Sequence, residues 1–96
     1  MGIEEILNQK RNEILEIVRR HGASDVRVFG SVARGAARVD SDVDFLVRPG
    51  EKTSPWFPAG LVLDLEDLLG RKVDVVTDGG LHWYIRDRIL AEAIPL

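Results

Sequence analysis

Gly30-Ser31-Val32-Ala33-Arg34-Gly35, followed closely by Ser41-Asp42-Val43-Asp44-Phe45-Leu46-Val47, is the stretch whose reading decides the fold. It couples a glycine-serine turn to two carboxylates spaced two apart at the head of an apolar run. Residues two apart in a strand share a face. Asp42 and Asp44 are therefore expected side by side, close enough to hold one hard cation. A glycine-serine turn entering a helix supplies backbone N–H groups for phosphate. Together the two halves read as a site for a metal-bound nucleoside triphosphate.

Working outward, residues 3–21 carry Ile3, Ile6, Leu7, Ile14, Ile17 and Val18 at helical spacing, which predicts one amphipathic helix stopped by Gly22. Asp25–Phe29 alternates as a strand ended by Gly30. Ser31 to about Ala37 is expected as a short helix with Ser31 as N-cap. Val43–Arg48 is a largely apolar, central strand. Pro49–Pro58, with Gly50, Pro55, Trp56, Phe57 and Pro58, is the least regular segment. Gly60–Leu69 reads as a helix stopped by Gly70, Lys72–Thr77 as a third strand, and His82–Ala93 as a last helix with Ile85, Ile89 and Leu90 on one stripe. The order is α-β-α-β-α-β-α. Helical connections between strands imply an α/β sheet covered by helices. Spacing alone leaves strand order and direction open.

Asp74 stands inside the third strand between Val73 and Val75, much as Asp44 stands between Val43 and Phe45. A carboxylate in such a context is costly unless paired or metal-bound. Hard oxygen ligands favour Mg²⁺ or Mn²⁺ over zinc. Three carboxylates can serve two ions about 3.5–4 Å apart, and Asp74 is also a candidate base for an attacking hydroxyl. Gly30 permits close approach of phosphate to the backbone. Arg34 and Arg38 have two open readings, phosphate contacts or solvated helix-face charges.

The chain has 96 residues, one small domain spanning 1–96, with a marginal core that leaves room for a partner-covered surface. It is 45% hydrophobic and 30% charged, an ordinary globular balance. A net charge of −3 argues against direct nucleic-acid binding, while a divalent metal would still let it hold a nucleotide. With no cysteine, disulfides and thiolate metal sites are excluded. The charged N-terminus lacks a signal-peptide core, and no apolar run approaches the ~20 residues of a membrane span. A cytoplasmic location fits.

The Gly30–Gly35 and Ser41–Val47 motifs, with Asp74 in Lys72-Val73-Asp74-Val75-Val76, resemble the nucleotidyltransferase superfamily that includes DNA polymerase β. They are most similar to its minimal nucleotidyltransferases, and the resemblance spans essentially the whole chain. It implies an α/β (α+β) fold, a three-stranded mixed sheet flanked by about four helices. It implies that Gly30, Ser31 and Arg34 bind the triphosphate of ATP, and that Asp42, Asp44 and Asp74 bind two Mg²⁺ ions. Large relatives add acceptor-binding domains for which this chain has no room. The resemblance therefore implies an acceptor on another protein: a tyrosine hydroxyl of a HEPN-domain toxin, silenced by AMP so that this chain acts as antitoxin. Inhibition by binding and occlusion with little catalysis is the alternative, and nucleotidyl transfer to a small molecule is a weaker one. Assembly with itself or with that partner stays open.

Other residues have plainer roles. His21 ends the first helix, where an imidazolium suits the negative end of the dipole. His82, beside Trp83, is expected as a surface or capping residue, with base stacking the alternative. Trp56 and Phe57 read as core packing, a lip over the nucleotide, or a partner contact. Tyr84 reads as packing. The tail Ile94-Pro95-Leu96 is apolar for a chain end and fits a partner-covered surface.

Overall fold

The computed structural model describes residues 2–96. These form five helices and a four-stranded sheet: α1 (Ile3–Gln9), α2 (Arg11–Arg20), β1 (Ala23–Phe29), α3 (Gly30–Ala33), β2 (Val43–Pro49), α4 (Ala59–Leu69), β3 (Val73–Thr77), α5 (Trp83–Glu92) and β4 (Ile94–Pro95). The sheet order is β3-β2-β1-β4. β1 runs antiparallel to β2 and β4, and β2 runs parallel to β3. The mixed α+β class agrees with the expectation, but the strand count does not. The apolar tail supplies a fourth strand, pairing Ile94 with Val28 and Pro95 with Arg27, so part of its apolar character is spent within the chain.

The expected helix over 3–21 is interrupted at Lys10, in a run of six polar residues from Asn8 to Glu13 where no buried side chain pins the backbone. The interruption is slight. The Lys10 N–H still donates to the Ile6 carbonyl at 2.9 Å, and the Lys10 carbonyl accepts the Ile14 N–H at 2.9 Å. Ile3, Leu7, Ile14 and Val18 all remain buried.

The core lies between one face of the sheet and α1, α2 and α4. Val43, Phe45 and Val47 of β2 meet Ile14, Val18, Leu61 and Leu65 there, all essentially without solvent contact. Alternation turns Asp44, Leu46 and Arg48 to the other face. Leu46 is nevertheless fully buried, and it and Ile89 of α5 lie outside the main core. Since β3 and β4 are opposite edges, α5 must cross the sheet, and these two residues place it on the Leu46 face. Ile89 alone is buried on α5; Ile85 and Leu90 are half-buried, so the expected apolar stripe is only partly used.

Registry orients the sheet. Asp44 is level with Phe29 of β1 and Asp74 of β3, whereas Pro49 is level with Ala23 and Val47 with Thr77. The Gly30 turn and the aspartates thus share one end. The Pro49–Pro58 segment leaves from the other, about 20 Å away at strand rise.

Candidate functional site

Asp44 sits at the centre of the acidic end. Gly30 follows its level neighbour Phe29 with φ +72°, the left-handed region that a side chain strains to adopt. A Cβ on Gly30 would overlap Oδ2 of Asp44 and lie 3.2 Å from its Cγ. Glycine is therefore required twice over, once by the backbone and once by the carboxylate packed against it.

Asp74 lies beside Asp44 on the neighbouring strand, at the ~4.8 Å spacing of adjacent strands. Asp42 stands just before β2 begins and is exposed, not on the strand as expected. Asp74 is also exposed. The argument from the cost of a buried carboxylate therefore applies only to Asp44, which is half-buried. The turn delivering Asp42 is locked reciprocally: the Arg38 N–H donates to Ser41 Oγ at 2.8 Å and the Ser41 N–H to the Arg38 carbonyl at 3.1 Å. Arg38 is exposed.

These surroundings push the Asp44 carboxyl up from 3.8 to about 6. Burial contributes most, then the Asp74 charge, then Asp42; Arg34 pulls it down and Glu92 pushes it up. Among the described residues no three ligating side chains converge closely enough to enclose a metal ion. The donor set still suits a hard cation: carboxylate oxygens only, on level neighbouring residues, with a mutual repulsion that a divalent charge would relieve.

The helix after Gly30 is shorter than expected. α3 covers Gly30–Ala33 rather than extending to Ala37, and its N-cap is Phe29, so Ser31 does not cap it. One turn carries little macrodipole. What it offers an anion is the set of N–H groups in its first turn, which have no partner within the helix. Arg34, at the end of this turn, donates from Nη1 to Oε1 of Glu92 at 2.5 Å. Glu92 was not singled out by its sequence context. A signal was present, because it falls at the i+7 position of the stripe begun by Ile85 and Ile89, where an apolar residue is expected.

The remaining candidates lie elsewhere. His21 Nε2 donates to Asp64 Oδ2 at 2.6 Å and Nδ1 meets the Ser54 hydroxyl at 2.5 Å, so it ties three segments together rather than merely ending a helix. Trp56 is 86% exposed, and Phe57 lines a cleft of about 540 Å³ with Pro49, Thr53 and Val76 at the end remote from the aspartates. Both residues therefore stand away from the three aspartates. His82 stacks on Tyr84, and Trp83 meets Tyr84 edge-on, at the start of α5 near that same remote end. The His82 ring is thus already stacked within the chain. Tyr84 is exposed, not packed in the core.

Residues 11–96 match the family model described as "Nucleotidyltransferase domain". The chain is 40% identical over 92 residues to the protein adenylyltransferase MntA of Thermococcus cleftensis, covering 96% of this chain and 90% of that protein. A solved structure provisionally described as a minimal nucleotidyltransferase superposes with TM-score 0.86 at 50% identity, over 100% of this chain and 97% of the other. A toxin-antitoxin crystal structure with AMP-PNP shares the fold at TM-score 0.75, with 20% identity over 88% of this chain and 69% of that one. No helix among the described residues is long and apolar enough to cross a membrane.

Proposed function

This chain belongs to the nucleotidyltransferase domain family, and on that premise we propose that it transfers AMP from ATP to a tyrosine hydroxyl of a partner HEPN-domain toxin, acting as its antitoxin in the cytoplasm. The observation that carries this reading is the placement of Asp44 level with Asp74 and packed against Gly30, which joins the acidic pair to the start of α3. The name of the Thermococcus relative supports AMP as the group moved and a protein as the acceptor.

Asp42, Asp44 and Asp74 would hold two Mg²⁺ ions, with Mn²⁺ an acceptable substitute. When bound, the ions would neutralise charge at phosphorus and ease deprotonation of the attacking hydroxyl. The first-turn N–H groups of α3 and the Ser31 hydroxyl would bind triphosphate oxygens, and Gly30 lets those oxygens approach the backbone. Arg34 would add guanidinium donors. The tyrosine oxygen attacks the α-phosphorus, its proton passes to Asp74, and the bond to the bridging oxygen breaks to release pyrophosphate. Asp74, exposed beside Asp44, is open to an incoming acceptor.

Binding and occlusion without catalysis is a second reading. It is favoured by Trp83, 85% exposed, and Tyr84 at the end remote from the aspartates, a surface the chemistry does not need. Labelled ATP separates the two. Label in the α-phosphate should pass to the partner and label in the γ-phosphate should not. Asp42→Asn or Asp44→Asn should abolish the transfer in a folded protein. Undiminished transfer by either variant refutes the assignment.

A further inference from the structure

We infer that Glu92 is a positioning residue for the nucleotide: from the end of α5 it holds the Arg34 guanidinium at the acidic end of the sheet and leaves the remaining donors for the triphosphate. The inference rests on the reading of that end as a triphosphate site, and it adds a residue from the last part of the chain.

The two partners are unequal. The Glu92 side chain is 18% exposed and the Arg34 side chain 58%. Glu92 is the fixed member. It stands one turn after buried Ile89, the Ala93 N–H donates to the Ile89 carbonyl at 2.9 Å, and Ile94 is already paired with Val28 in the sheet. Arg34 is the mobile member, a long side chain at the end of a single helical turn. Alone it would spread over many rotamers. One charge-assisted hydrogen bond to a rigid carboxylate restricts that spread. A guanidinium carries five N–H donors, so a bond through Nη1 leaves most of the fork available.

Location separates this pair from the other surface ion pairs. Arg19 with Glu16 is a neighbour pair along one helix, remote from any chemistry. Arg34 and Glu92 come from different elements, and both act through space on Asp44, in opposite senses. A fourth acid beside three aspartates is electrostatically adverse, so its presence there is accounted for by the cation it holds. An exposed pair gains little stability; its consequence lies in where it puts the guanidinium. The opposite role, in which Glu92 withholds Arg34 from phosphate, predicts tighter nucleotide binding when the acid is removed.

The test is calorimetric binding of α,β-methylene-ATP with Mg²⁺, an analogue whose scissile bond cannot break. The proteins are the full chain, Glu92→Gln, Glu92→Asp, Arg34→Ala and the double variant Arg34→Ala with Glu92→Gln. Glu92→Gln should weaken binding by roughly three- to ten-fold, the net scale of one ordinary hydrogen bond. Glu92→Asp should recover part of the loss. The double variant should bind no more weakly than Arg34→Ala, because Glu92 favours binding only through Arg34. Thermal melts of all variants separate lost binding from lost folding. Unchanged or tighter binding by Glu92→Gln, or additive losses in the double variant, overturns the inference and leaves the triphosphate site standing. A wild-type chain that binds no analogue overturns that site and the inference with it.

Discussion

Replacing Gly30 by alanine tests the claim that this position is set by the carboxylate beside it as well as by the turn. Two penalties are separable. The first is backbone strain: an L-residue in the left-handed region costs about 1–2 kcal/mol, which for a domain of this size lowers Tm by roughly 4–16 °C. The second is local. The new Cβ would overlap Asp44 Oδ2, so the carboxylate must swing away by on the order of 1 Å to regain van der Waals separation. A displacement of that size in a reacting constellation costs on the order of 100-fold in rate. Gly70→Ala is the control. Gly70 caps α4 at φ +66°, with nothing within 4 Å of an added Cβ. The two variants should lose comparable Tm by differential scanning calorimetry, but only Gly30→Ala should lose adenylyl transfer. Activity of Gly30→Ala within about threefold of Gly70→Ala would refute the reasoning, because the displacement alone predicts a far larger loss.

The raised Asp44 carboxyl gives a pH signature without metal. Between 3.8 and about 6 the native chain keeps a proton that the unfolded chain has released, so stability should fall as pH rises through that window. Melts of the metal-free Asp44→Asn variant should lack this slope and run above wild type beyond pH 6; an unchanged slope would assign it to another group. Mg²⁺ at pH 7.5 should raise the wild-type Tm by linkage and raise that of Asp44→Asn less. His21→Ala should cost about 1–2 kcal/mol, since Ser54 and Asp64 lose their shared partner. Hydrogen exchange should quicken over residues 50–58, while adenylyl transfer persists, because that segment sits at the other end of β2.

The sequence made the central ladder legible because two signals coincided there. Val43, Phe45 and Val47 alternate with Asp44 and Leu46, and the glycine stop at Gly30 sits one short turn upstream. The fourth strand was hidden because two residues carry no periodicity; it exists through tertiary pairing with Val28. The break at Lys10 was hidden for the converse reason: Ile3, Leu7, Ile14 and Val18 keep one helical stripe across it. The three aspartates could be picked out by their context, yet their unequal burial could not. Exposure of Asp74 follows from lying on a sheet face that α5 does not cover there, which depends on topology. Glu92 was illegible for a related reason. Nothing local says that the end of the last helix returns to the Gly30 turn. That return follows from α5 having to cross from the β3 edge to the β4 edge.

The most direct measurement is the intact mass of the proposed acceptor, a HEPN-domain protein, purified after co-expression with wild type and with the Asp42→Asn, Asp44→Asn double variant. The account predicts a gain of one or more AMP units with wild type and none with the variant. No gain with wild type, in a complex that purifies intact, would contradict it and leave neutralisation to binding alone.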